Sequence, residues 1–263
     1  METTQDCVQL AVEDGIARIT LNRPARRNAI NAAVHARFRE IVSCLEGNAD
    51  IRVVIMRGAG GSFCSGQDLA ERAVMLRAGE VDLQTSLRDH YNPLIRRLTA
   101  LPVPVIAAVD GIAAGAGAAL ALTADLVLMA RSARLQLAFV RVALGPDSGI
   151  SWLLPRLVGQ ARALGMALTG EMIDATRAEQ WGLVWRVVDD AMLLAEAESL
   201  ARQLTVGPRA ALAAIKRRLR VTSPETLETA LDAEAAAQGI LGRGTDYREA
   251  VEAFIEKRQP RFA

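Results

Sequence analysis

Two stretches of this 263-residue chain place glycines where chemistry could use them. Ile51-Arg52-Val53-Val54-Ile55 runs into Gly60-Gly61-Ser62-Phe63-Cys64-Ser65-Gly66-Gln67-Asp68, and Val105-Ile106-Ala107-Ala108-Val109 runs into Gly111-Ile112-Ala113-Ala114-Gly115-Ala116-Gly117. Each reads as strand, glycine loop, helix. A helix start leaves backbone N–H groups without acceptors, and glycine lets a ligand approach the backbone closely. If the two strands lie side by side, both sets of N–H groups point at one anionic centre. The same loops could equally be two tight strand–helix turns. A carboxylate in a third loop, Asp147 in Gly145-Pro146-Asp147-Ser148-Gly149, precedes a helical run and has the ordinary reading of a helix N-cap.

Other chemistries find little support. The two histidines, His35 and His90, occur in no HExxH pattern, the cysteines form no CxxC, and metal catalysis is not expected. A Ser-His-Asp triad would need one of these histidines; His35 sits in a helical stretch and His90 in a polar one. Neither a Walker nor a Rossmann glycine pattern is present. Cys7, Cys44 and Cys64 are odd in number and widely spaced, which makes no disulfide framework and fits a reducing cytoplasm. Lys+Arg (31) and Asp+Glu (30) balance, so no global field favours nucleic acid or an anionic membrane. The start, METTQDCVQL, lacks a signal pattern. The longest apolar region, Leu101 to Ala130, is interrupted by Asp110 and Asp125, and the stretch between them falls short of the ~20 residues of a span.

The elements that must position these loops can be read from periodicity. Val8-Leu10-Val12 and Ile16-Ile19-Leu21 flank Glu13-Asp14-Gly15, a β-hairpin. Asn31 to Glu46 has helical spacing, with Val34, Phe38, Ile41, Val42 and Leu45 on one face. Ile51–Met56, Val105–Val109, Leu126–Met129 and Val184–Val188 read as buried strands. Asp68 opens a helix, residues 79–90 read as a polar, mobile surface segment, and Tyr91 to Leu98 is helical until Pro102 and Pro104. Ala118–Thr123 and Ile150–Leu157 are helical. From Asp190 the chain is helical and rich in Ala, Leu, Glu and Arg, with a start at Ser223-Pro224. The expected organisation is an α/β unit over 1–190 and a helical region over 191–263.

The segments FCSGQDL and AAVDGIAAGAGAALALTADLVLMA resemble the two signatures of the crotonase (enoyl-CoA hydratase/isomerase) superfamily. The similarity begins at Leu21-Asn22-Arg23-Pro24, passes through Leu164-Thr169-Gly170 and Gly182-Leu183-Val184, and ends at Phe254-Lys257-Arg258-Pro260-Phe262. It implies a crotonase-like α/β spiral of ββα units with a C-terminal helical region that forms trimers or pairs of trimers. It implies an acyl-CoA thioester as substrate, with coenzyme A as part of that substrate and no separate cofactor. The N–H groups of Gln67 and Ala116 fall at the family's oxyanion-hole positions. Ser65, Gly66, Asp68, Leu69 and Gly115 flank them, Asp68 being read, like Asp125, as structural. Arg23, Arg26 and Arg27, with Lys257 from the far end, are the implied CoA ligands.

The resemblance also narrows the reaction. Hydratases of the family carry two glutamates where this chain has Ala119 and Phe139. Hydration needs one group to take a proton from water and another to protonate carbon, so efficient hydration is not expected. Asp147 occupies the position where members without that pair keep an isomerase base or a dehalogenase nucleophile. Low aromatic content, 4%, argues mildly against gripping a benzoyl ring. HYNPLIRRL, LGPDSGISWLLPRLVG and WGLVWRVVDD look like the branch that isomerises ring 1,2-epoxyphenylacetyl-CoA. Phe139, Tyr91 and Trp152 are then candidates for the pocket wall. A Δ3,Δ2-enoyl-CoA isomerase and a non-catalytic binding protein are the alternatives.

Overall fold

The computed structural model describes residues 7–220 and 226–262; the helix start read at Ser223-Pro224 lies outside them. β1 (Val8–Glu13) and β2 (Ile16–Leu21) form the expected hairpin, in register from Val8 opposite Leu21 to Glu13 opposite Ile16. Asn31 caps α1 (Ala32–Gly47), its side chain accepting from Val34 N–H, and the five predicted apolar residues are buried together with His35. β3 spans Val53–Gly58, two residues later than the apolar run, because Ile51 is buried but lies ahead of the ladder. Asp68 caps α2 (Leu69–Ala78) through Ala70 and Glu71 N–H.

Residues 79–90 lie mostly at the surface, as expected, but are helical in large part. They hold α3 (Leu83–Ser86) and the start of a wider, π-type turn over Leu87–Tyr91, which leads into α4 (Asn92–Ala100). The polar average of the segment conceals Val81, Leu83 and Leu87, which face a cavity.

β4 (Val105–Val109) is followed by β5 (Ile112–Ala114), and α5 (Ala116–Leu122) begins two residues earlier than its periodicity suggested. Then come β6 (Leu126–Ala130), β7 (Arg134–Gln136), α6 (Ile150–Val158), α7 (Gln160–Thr169), β8 (Met172–Asp174), α8 (Ala175–Gln180) and β9 (Arg186–Val188). One sheet runs β1-β2-β3-β4-β6-β9, parallel from β2 onward, and a small second sheet runs β5-β7-β8. Parallel pairing of β3 with β4, Val54 opposite Val105, sends both glycine loops out at the same end of the sheet.

Among the described residues, four α-helices close the chain: α9 (Leu193–Thr205), α10 (Arg209–Leu219), α11 (Leu227–Leu241) and α12 (Thr245–Glu256). α9 packs on β2, β3, β4 and β6 and buries Leu193, Ala197 and Ala201. Asp125 anchors α10 and the residue after it, pairing with Lys216 at 2.8 Å and Arg220 at 2.7 Å. α11 and α12 leave Leu227, Leu231, Ile240 and Ile255 exposed, and Phe254 is 84% exposed. No helix of the described residues is long and apolar enough to cross a membrane.

Candidate active site

The two glycine loops are sewn together beyond the sheet. Phe63 N–H donates to Asp110 O at 2.9 Å, Cys64 N–H to Ile112 O at 3.0 Å, and Ala114 N–H to Cys64 O at 2.9 Å. The seam is tight enough to require glycine. A Cβ on Gly66, at φ +89°, would stand 2.7 Å from Ala114 O, and one on Gly117 would run into the carbonyl of Cys64.

This seam aims the donors. Ile30 N–H bonds to Gly66 O at 2.7 Å and Ile30 O accepts from Asp68 N–H at 2.8 Å. Gln67 lies between those rungs, so its own N–H turns away from Ile30, as alternation in a parallel bridge demands. Ala116 is the first residue of α5, and its N–H has no intrahelical acceptor. Both residues line a cavity of about 770 Å³, with Ser65, Gly66, Leu69 and Gly115. Two backbone donors, one at a positive helix end, form a site where negative charge on an oxygen is stabilised.

Asp147 is the one carboxylate among the described residues lining this cavity. It does not cap α6. The N-cap residue is Gly149, with no side-chain cap bond, and Asp147 contributes only its backbone carbonyl, to Ile150 N–H at 3.0 Å. Ser148 (φ +52°) and Gly149 (φ +83°) are both left-handed. A serine held there costs about 1 kcal/mol or more, a strain characteristic of functional turns. The carboxylate Oδ1 accepts from Ser148 Oγ at 2.8 Å. Burial pushes the Asp147 pKa above the usual aspartate value, and the Ser148 hydroxyl only partly offsets this. A raised pKa makes the ionised carboxylate a stronger base.

Tyr91 and Phe139 line the cavity as expected and are buried. Tyr91 also donates its hydroxyl to Gln67 Oε1 at 2.7 Å. Burial, then the charge of Asp147, pushes the Tyr91 pKa upward, so it remains a neutral donor. His35 packs edge-on to Tyr91 with ring centroids 4.4 Å apart. Both its ring nitrogens are buried without partners, and burial lowers its pKa to about 3, so it is a neutral core residue.

Other expected residues stand elsewhere. Arg23 is no solvent-facing ligand: it is buried, with Nη1 on Asp68 Oδ2 at 3.0 Å and Ala29 O at 2.6 Å. Asp68 acts as cap and ion-pair partner and does not line the cavity. Arg26 and Arg27 are exposed on a turn whose carbonyls accept from Ser65, Arg27 O from the N–H at 2.9 Å and Arg26 O from Oγ at 3.3 Å. That turn therefore adjoins the cavity. Trp152 is absent from the wall: it is 45% exposed, with the Arg156 guanidinium 4.3 Å from its ring centroid. Lys257 ends α12 in a left-handed conformation, away from the cavity lining of its own chain.

Sequence reasoning missed the wall built by α2, α3 and the segment after β7. Arg72, Leu76, Val81, Leu83, Leu87, Val142 and Leu144 all line the cavity. Three aliphatic residues in the polar 79–90 stretch were the available signal.

The Enoyl-CoA hydratase/isomerase family profile matches residues 11–263. The chain is 47% identical over 251 residues to the 1,2-epoxyphenylacetyl-CoA isomerase of Escherichia coli, covering 95% of this chain and 96% of that one. It is 44% identical over 255 residues to a "Probable enoyl-CoA hydratase" of Rhodobacter capsulatus, covering 97% of each. A crystal structure of a Mycobacterium abscessus protein of the same class superimposes with a TM-score of 0.94 at 40% identity, covering 97% of this chain and 99% of that one.

Proposed function

The chain belongs to the enoyl-CoA hydratase/isomerase family, a group acting on CoA thioesters, and we propose that its reaction is the isomerisation of ring 1,2-epoxyphenylacetyl-CoA to the seven-membered oxepin-CoA. The observation that carries this reading is that Asp147 is, among the described residues, the lone carboxylate in a largely aliphatic cavity that also holds two backbone donors. One carboxylate can remove a proton and return it elsewhere, but has no second acid with which to add water.

The steps follow from the residues. The epoxide opens to the oxepin by an electrocyclic shift that needs no side chain. Asp147 takes the proton from the carbon next to the thioester. The N–H groups of Gln67 and Ala116 hold the enolate oxygen, one such donor being worth ~3–4 kcal/mol. Asp147 then delivers the same proton to the ring carbon, and nothing is added or lost. Aliphatic residues and Phe139 in the wall offer water no hydrogen-bond partners, which favours survival of the epoxide.

The exposed turn of Arg26 and Arg27 beside Ser65 supports a role for these two residues in holding CoA phosphates, since guanidinium pairs well with phosphate. The exposed apolar residues of α11 and α12 support a trimer or pair of trimers, with the helical region from 191 onward as the assembling part. A stable monomer by light scattering at micromolar concentration would refute the assembly.

The test of the reaction is direct competition between ring 1,2-epoxyphenylacetyl-CoA and a straight-chain 3-enoyl-CoA. The epoxide should be preferred in kcat/KM. A strong preference for the 3-enoyl ester would leave the proton-shuttle mechanism standing on a fatty-acyl substrate. Binding of both without turnover would make the protein a non-catalytic member.

A further inference from the structure

Among the described residues, one cation lines the cavity. Arg72, on α2, directs Nη2 to Gln67 Oε1 at 3.2 Å and lies 3.5 Å from Ser86 Oγ. Among the described residues it has no carboxylate partner. The wall around it is aliphatic: Leu76, Val81, Leu83 and Leu87. A guanidinium is costly in such surroundings unless something polar meets it. Proton transfer by Asp147 makes no use of it. Its anchor, Gln67, is the residue whose N–H is assigned to the thioester oxygen. The guanidinium therefore lines the same cavity, joined to that residue at the tip of its side chain.

We propose that Arg72 is a specificity-determining residue that donates a hydrogen bond to an oxygen on the carbon β to the thioester carbonyl, which in the ring-epoxide substrate is the epoxide oxygen. The inference rests on the functional reading above. The first ring carbon is bonded to the carbon next to the thioester and carries that oxygen, so the epoxide lies close to the oxyanion site. Guanidinium has five N–H donors, and the two contacts to Gln67 and Ser86 leave others to spare. A straight-chain 3-enoyl group presents only C–H at the same place.

Guanidinium also suits the hazard of this substrate. Acid would break a C–O bond of the epoxide. A guanidinium orients the oxygen through hydrogen bonds alone. Both C–O bonds then survive while the ring C–C bond between them opens.

The experiment compares kcat/KM for ring 1,2-epoxyphenylacetyl-CoA and a straight-chain 3-enoyl-CoA in wild type, Arg72→Met and Arg72→Lys. The epoxide/3-enoyl ratio should fall about 10- to 100-fold in Arg72→Met, the range of one charge-assisted hydrogen bond, and recover in part in Arg72→Lys. Equal losses on both esters would mean that Arg72 only braces Gln67, and would overturn the inference alone. Wild-type protein inert toward the ring epoxide would overturn the functional reading and this inference with it. A second measurement needs no variant: titration of wild type with 1,2-epoxycyclohexylacetyl-CoA and cyclohexylacetyl-CoA, neither of which can expand its ring. The epoxide should bind about tenfold more tightly; equal affinities would overturn the role of Arg72.

Discussion

The hydroxyl of Tyr91 donates to Oε1 of Gln67 across 2.7 Å, so the residue that offers its backbone N–H to the oxyanion site is also held by its side chain. Arg72 donates to the same oxygen at 3.2 Å. The amide of Gln67 is thereby restrained at both ends, by Ile30 through the peptides that flank it and by Tyr91 at the tip. Preorganisation of this kind is what gives an oxyanion donor its value.

Tyr91→Phe removes that hydroxyl and keeps the ring against His35. It should lower kcat roughly 3- to 10-fold, the worth of one neutral hydrogen bond, with KM changed less. The infrared carbonyl stretch of a bound, unreactive acyl-CoA should move toward its value in water. An unchanged stretch and unchanged kcat would show that Gln67 is positioned by its backbone alone.

Asp147→Asn should abolish isomerisation, a loss of about 10²- to 10⁴-fold, while leaving thioester binding nearly intact. The amide keeps the size of the side chain and can still accept from Ser148, but cannot take a proton. Turnover within a few-fold of wild type would refute the base assignment.

The pH profile should follow Asp147. Only the carboxylate is a base, so kcat/KM should fall as pH drops through the Asp147 pKa, which burial places above the usual aspartate value. Ser148→Ala removes a hydrogen bond that favours the charged form. The pKa then rises further and the acid limb should shift to higher pH. A limb that stays in place, or moves to lower pH, would assign that titration to another group.

The arginines after β2 should separate by burial. Arg23→Ala strands Asp68 without its ion-pair partner and should cost about 3 kcal/mol or more, read as a lower unfolding midpoint in denaturant. Arg26→Ala combined with Arg27→Ala should spare stability and weaken CoA binding about tenfold by calorimetry. Unchanged CoA affinity in that double variant would remove these two residues from the phosphate site.

Much of the architecture was legible because its signals are local. The hairpin, the apolar face of α1, the helix opened by Asp68, β4 and the two glycine loops each rest on residues a few positions apart, where period-2 or period-3.6 burial shows directly. The absence of acids at residues 119 and 139 and the presence of one at 147 were likewise written in the chain, and with the family resemblance they narrowed the chemistry. The tertiary structure decided what each polar group faces. Arg23 meets Asp68 45 positions away, and Tyr91 meets Gln67 24 positions away. Such meetings depend on strand register and on where a helix is set down, and they leave no periodic trace. Residues 79–90 make the same point. Their aliphatic side chains look like scattered exceptions in a polar run until Phe139, Val142 and Leu144 are brought opposite them, across a cavity that no single segment encodes.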